Sequence, residues 1–184
     1  MVGYNEQITC EFEREEIMFK VFCDLDGVLT DFSGRFRELF KIDVAAYETE
    51  HGVESIWKPI NEHGVNFWAN LPWTYDGHRL WRYIKQFNPI IISARPKLTL
   101  SKFVEEGKNL WLNKELGKHV PRHIGRRKDK IRQCGFGYVL VDDFAKTVEE
   151  WRLRGGVGIV HISAIDTIQR LSQWKKEYKL NRLK

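Results

Sequence analysis

Apolar and polar positions along the chain switch between a strand-like and a helix-like period. Phe19-Lys20-Val21-Phe22-Cys23 is an apolar run with one charge and reads as a buried strand. It runs into the turn Asp24-Leu25-Asp26-Gly27, after which Phe32, Phe36, Leu39 and Phe40 recur at helical spacing. Asp76 stands where it can cap a helix whose apolar face is Leu80, Ile84 and Phe87, and Asn88-Pro89 stops that helix. Ile90-Ile91-Ile92 is a second strand, ending at Ser93-Ala94-Arg95-Pro96. Leu100, Phe103, Val104, Gly107 and Trp111 mark one face of a long helix. His119 to Ile124 predicts a short third strand, and Tyr138-Val139-Leu140-Val141 a fourth, ending at Asp142-Asp143. Phe144, Val148 and Trp151 form another helical face, closed by Gly155-Gly156. Val157 to Ile162 is a fifth strand; Ala164, Ile168 and Leu171 give a last helix, followed by a basic tail.

Apolar strands alternating with amphipathic helices predict an α/β fold with a parallel sheet covered on both faces. Residues 42–75 break the pattern. They have no clean period, carry Trp57, Phe67, Trp68, Trp73 and Tyr75, and are punctuated by Gly52 and Gly64. They read as a compact, partly helical insertion.

Composition narrows the class. A chain of 184 residues, 42% hydrophobic and 30% charged, can build one domain with a small insertion. No apolar run approaches the ~20 residues of a membrane helix. Met1 to Phe19 carries five glutamates and lacks the basic and apolar regions of a signal peptide, so a cytoplasmic protein is expected. Cys10, Cys23 and Cys134 are scattered without a CxxC pair, and the histidines show no metal-binding spacing. The net charge of +5 hides a split of −6 over residues 1–92 and +11 over residues 93–184. The split points to an anionic ligand or partner, although a solvated surface is the plainer account.

The chemistry follows from where the strands end. In parallel sheets ligands bind beyond the C-terminal strand ends. Asp24, Asp26, Asp142 and Asp143 all follow strands there. Four such carboxylates cannot all ionise without a counter-charge, and an all-oxygen set favours Mg²⁺. The Ser93 hydroxyl and an ammonium, Lys130 or Lys128, complete a site for a dianionic phosphate. Singly, each residue has a plainer account as a cap, a turn or a solvated charge. Their joint placement at strand ends points to a site.

Asp24-Leu25-Asp26-Gly27-Val28-Leu29-Thr30-Asp31 after an apolar strand resembles the first motif, DxDGVLxD, of the haloacid dehalogenase-like phosphohydrolase superfamily. Ser93 after Ile90-Ile91-Ile92 matches the second motif. A lysine and then Asp142-Asp143 after Val139-Leu140-Val141 match the third and fourth. The resemblance spans residues 19–162. It implies a Rossmann-like core, residues 1–32 and 77–184, with a small, mostly helical cap, residues 33–76, inserted after the first strand.

The resemblance also implies roles. Asp24 is the nucleophile that forms an aspartyl-phosphate. Asp26 protonates the leaving oxygen and then activates water. Ser93 and the lysine hold the phosphoryl oxygens, helped by the backbone N–H groups of Leu25 and Ala94. Mg²⁺ binds Asp24, the Asp26 carbonyl and Asp143, with Asp142 at the metal or its water. Dehalogenases of the superfamily lack the second Asp, and its ion-pumping ATPases carry Thr there, so Asp26 implies a phosphatase. Arg127-Lys128-Asp129-Lys130 is similar to the Arg-x-Asp-Lys element of the 5′(3′)-deoxyribonucleotidases, which selects Lys130. Phe67-Trp68-Ala69-Asn70-Leu71-Pro72 resembles the segment that brings aromatics to the base in that group, and Trp111 lies at a similar place. Stacking on such rings suits a flat base, and the same rings equally suit the cap's own core. The implied function is a Mg²⁺-dependent phosphomonoesterase acting on a small phosphate ester, a nucleoside monophosphate. Two alternatives are a phosphatase for phosphorylated nucleic-acid ends, suggested by the basic stretch from Lys118 to Arg132 and the basic C-terminus, and a non-catalytic binding module.

Overall fold

The computed structural model describes residues 19–97 and 103–182. The N-terminal glutamates, Cys10, Leu100 and Lys184 lie outside the described residues. Five strands form one parallel sheet in the order β3-β2-β1-β4-β5. They are β1 (Lys20–Cys23), β2 (Ile90–Ala94), β3 (Arg122–Gly125), β4 (Tyr138–Asp142) and β5 (Val157–Val160). The central strand β1 sits in register with both neighbours, Phe22 opposite Ile90 and Leu140, Cys23 opposite Ile91 and Val141.

Strand residues point alternately to the two faces. Phe22, Ile92 and Leu140 pack on one side against Trp151 of α8 (Ala145–Arg152). Val21, Cys23, Ile91, Val139 and Val141 face the other side. There they join Leu80 and Ile84 of α5 (Gly77–Ile84), Trp111 and Leu112 of α6 (Val104–Glu115), and Leu171 of α9 (Ala164–Arg182). Burial on both faces is why the three inner strands β2, β1 and β4 are apolar nearly throughout, whereas the edge strand β3 is mostly polar, and the result is the expected Rossmann-like α/β fold.

The insertion after β1 holds four short helices: α1 (Phe32–Phe40), α2 (Val44–His51), α3 (Trp57–His63) and α4 (Val65–Ala69). Asp31 caps α1, its carboxylate accepting from Gly34 N–H at 2.7 Å. Phe36, Ile60 and Phe67 are fully buried and tie the insertion to the main core. Helix α4 lies directly on α6. Gly107 makes this approach possible, because a Cβ there would stand 2.4 Å from Trp68 Cβ and 2.8 Å from the Val65 carbonyl oxygen.

Two expectations change, and one stretch for which no element was predicted takes a structure. The basic tail is not a tail, since α9 continues through it to Arg182. The stretch around Lys130 is a helix, α7 (Arg127–Arg132), too short and too charged for a periodicity to show. Asp76 precedes α5 but makes no side-chain bond to it. Its Oδ2 instead accepts from Ala164 N–H at 2.6 Å, capping α9 far away in sequence. Among the described residues, no helix is long and apolar enough to cross a membrane.

Candidate active site

The site forms at the C-terminal edge of the sheet, where β1 and β4 end side by side. The Asp24 N–H donates to the Val141 carbonyl at 2.8 Å, carrying the ladder one step past β1. The chain then turns sharply. Val28, Leu29 and Thr30 all donate backbone N–H to the Leu25 carbonyl, and Gly27 adopts φ +77°, a conformation suited to glycine. This turn folds Asp26 back beside Asp24. One Asp26 oxygen accepts from Thr30 Oγ1 at 3.1 Å. Asp24 Oδ1 accepts from the Leu25 N–H at 2.8 Å, which fixes the carboxylate's orientation.

Lys130 reaches in from α7. Its Nζ lies 2.9 Å from Asp24 Oδ2 and 2.7 Å from Asp142 Oδ2. Asp142 is fully buried, and its other oxygen accepts from Phe144 N–H at 2.9 Å. Lys128, two residues earlier, is exposed, so the helical register of α7 selects Lys130. Burial opposes the charge on Lys130, but Asp24 and Asp142 outweigh it and hold the ammonium above its ordinary pKa.

Asp24, Asp142 and Asp143 each offer an oxygen within 4.8 Å of the others. Burial, opposed by Lys130, and the charges of Asp142 and Asp26 push Asp24 up to about 7. Asp143 is open to solvent on one side, while its carboxyl turns in over Gly27. Partial burial and the Asp142 charge push it up to about 6. Two carboxyls raised this far mark a cluster short of positive charge. Hard oxygen donors at this spacing fit a hard divalent cation. The Asp26 carboxylate is not part of the cluster, so any share of Asp26 in holding an ion falls to its backbone.

A cavity of about 470 Å³ opens over these residues. Phe32, Trp57 and Trp68 of the insertion form an aromatic wall, and Arg95 and Arg127 stand among its cationic lining. Ala94 lines it too, while Ser93 lies just behind at 1% exposure. The structure thus brings Asp24, Asp26, Ser93, Ala94, Lys130, Asp142 and Asp143 together. The aromatic expectations need correction. Phe67 is fully buried and packs edge-on against Phe32 and Trp68. Trp111 is 1% exposed, its indole N–H spent on the Leu71 carbonyl at 2.7 Å. Both are core residues and neither faces the cavity. Trp68 borders it but is itself almost wholly buried.

Sequence reasoning missed two residues here. Trp57 stood among the insertion's aromatics with nothing to single it out. Lys108 had a signal: Val104, Gly107, Lys108 and Trp111 share one helical face, and all are buried. A lysine on a buried face has to find acceptors. Lys108 donates to Asp26 Oδ2, to Ser93 Oγ at 2.8 Å and to the Ala94 carbonyl at 2.9 Å.

No family model and no curated protein matches the sequence. Among solved structures, a hydrolase from Streptococcus pneumoniae TIGR4 superimposes with a TM-score of 0.53 at 14% identity, covering 83% of this chain and 97% of that one. This chain shares its fold with that hydrolase. At such identity the likeness speaks for the architecture alone, and the chemistry has to be argued from the side chains.

Proposed function

We propose that this protein is a metal-dependent phosphomonoesterase of the haloacid dehalogenase-like type, acting on nucleoside monophosphates through an aspartyl-phosphate at Asp24. The observation that carries the reading is the Asp24–Lys130–Asp142 arrangement, with Asp143 beside it at the sheet edge. An oriented carboxylate, an adjoining ammonium and a carboxylate cluster short of positive charge suit phosphoryl transfer, which needs mainly positioning and charge stabilisation.

Asp24, Asp142 and Asp143 would hold Mg²⁺, together with the Asp26 carbonyl. When bound, Mg²⁺ supplies the positive charge that keeps Asp24 ionised and offsets charge on the phosphoryl oxygens. In the first half-reaction an Asp24 oxygen bonds to phosphorus and the bond to the leaving oxygen breaks. The electron pair goes to that oxygen, which takes a proton from Asp26. In the second, a water oxygen bonds to phosphorus, its proton goes to Asp26, and the bond to Asp24 breaks to release inorganic phosphate. Lys130 and the backbone at Ala94 steady the phosphoryl oxygens throughout.

The α1–α4 insertion acts as a small cap. Its wall of Phe32, Trp57 and Trp68 supports a flat leaving group, since an aromatic surface opposite a phosphate site suits a nucleobase. Phosphate release from a panel of nucleoside monophosphates and sugar phosphates, with Mg²⁺ and with EDTA, tests the reading. Release from nucleotides that stops with EDTA and with Asp24→Asn supports it; unchanged turnover by Asp24→Asn overturns it.

One observation favours a second substrate. The Nε atoms of Arg95 and Arg127, both at the cavity, make no hydrogen bond among the described residues, while Glu105 stands 4.0 Å from Arg95 Nε and Glu150 pairs with the Arg127 guanidinium through Nη2. Such donors suit a further anionic group, as on a phosphorylated nucleic-acid end. Preference for a phosphorylated oligonucleotide over the mononucleotide, steeply weakened by salt, would favour it.

A further inference from the structure

The two buried lysines of the site have unequal freedom. Lys130 commits two of its three ammonium hydrogens, to Asp24 and Asp142. Lys108 commits all three, to Asp26 Oδ2, Ser93 Oγ and the Ala94 carbonyl. It is 1% exposed, and its Nζ lies 5.1 Å from the centre of the Trp68 ring, so it is backed by an aromatic face. Gly107 lets Trp68 come this close. Lys108 therefore has no hydrogen left for a phosphoryl oxygen.

Its bonds do determine where other groups point. An ammonium only donates, so Asp26 Oδ2 and Ser93 Oγ must accept from it. Asp26 Oδ1 lies 3.1 Å from Thr30 Oγ1, whose single hydrogen also faces the Leu25 carbonyl at 3.1 Å, so Lys108 fixes the Oδ2 end and leaves Oδ1 as the oxygen that carries the transferable proton. The Ser93 hydroxyl, with one lone pair engaged, keeps its own hydrogen to give elsewhere. We propose that Lys108 is a positioning residue for the proton-transfer step. It clamps Asp26 against Ser93 and the Trp68 face, so that Asp26 meets the leaving oxygen rather than the metal-binding carboxylates. The inference rests on the phosphatase reading and adds to it a link between the α4–α6 packing and the proton donor.

A choice of leaving group tests this. A nucleoside 5′-monophosphate needs a proton on its departing alkoxide, whereas p-nitrophenyl phosphate releases a phenolate that leaves without one. Because kcat/KM reports the steps up to the phosphoenzyme, it isolates the half-reaction in which Asp26 donates. Lys108→Met should lower kcat/KM for the nucleotide by about a hundredfold and for p-nitrophenyl phosphate by less than about tenfold. Lys108→Arg should recover part of the nucleotide loss. If Lys108→Met does not fold, Lys108→Gln carries the same comparison. Equal losses on both substrates overturn the proposal, because a role in binding phosphate or in stability would not distinguish the leaving groups. A nucleotide rate that survives the substitution overturns it as well. Wild-type protein that cleaves neither substrate overturns the phosphatase reading, and the Lys108 role with it; an active wild type with equal losses overturns the Lys108 role alone.

Discussion

The Asp143 carboxylate occupies the space that a side chain at Gly27 would need: a Cβ at Gly27 would stand 2.1 Å from Asp143 Oδ2. The turn after β1 and the end of β4 are thus fitted to each other at the proposed metal site. Gly27→Ala should displace the Asp143 carboxylate and force a residue with a Cβ to adopt φ +77°. The backbone strain costs about 1–2 kcal/mol. The variant should fold, melt at a lower temperature and bind Mg²⁺ more weakly by titration calorimetry. Unchanged Mg²⁺ affinity would count against Asp143 as a ligand.

Lys130 and Lys128 offer a paired test. Lys130→Met removes the ammonium that two buried carboxylates share. Turnover should fall by on the order of a hundredfold or more. Lys128→Met, at an exposed position, should change kcat by less than about twofold, as surface substitutions generally do.

The raised carboxyls predict how the metal-free protein responds to pH. Asp24 and Asp143 bind their protons more tightly folded than unfolded, with values of about 7 and about 6. Their contribution to stability is fully present below the ordinary carboxylate range and is lost as pH rises through about 6 to 7. With EDTA, melting scans should show this loss across that window, and Asp143→Asn should reduce it. Saturating Mg²⁺ should restore stability at the alkaline end, because it binds the ionised carboxylates of the folded chain.

Two tryptophans should separate substrate contact from packing. Trp57 lines the cavity from α3, so Trp57→Ala should raise KM for a nucleotide by about tenfold, the loss of a stacking partner, and leave p-nitrophenyl phosphate nearly unaffected. Trp111 is core, so Trp111→Ala should cost about 3–5 kcal/mol of stability in a denaturant titration. A specific KM effect from a folded Trp111→Phe would return that residue to the substrate site.

The strands and the carboxylates were legible because their signals are local. An apolar run such as Ile90-Ile91-Ile92 must be buried on both faces, and a polar residue directly after it must lie at a sheet edge. Asp24, Ser93 and Asp142 are of this kind, and Asp26 and Asp143 follow within two residues of them. The insertion was recognisable as an interruption of the pattern, although its four short helices carry too few turns for a period to emerge.

What depended on tertiary structure was partnership. Phe67, Trp68, Trp57 and Trp111 are similar in sequence, and only packing makes Phe67 and Trp111 core and leaves Trp57 on the cavity wall. Asp76 precedes one helix and caps another. Lys108 lies 82 residues from Asp26 and is brought to it by α6, which Gly107 lets lie closely against α4. The physical reason is common to all three. Periodicity reports that a side chain is buried, whereas the group it meets there is set by which elements the fold brings alongside.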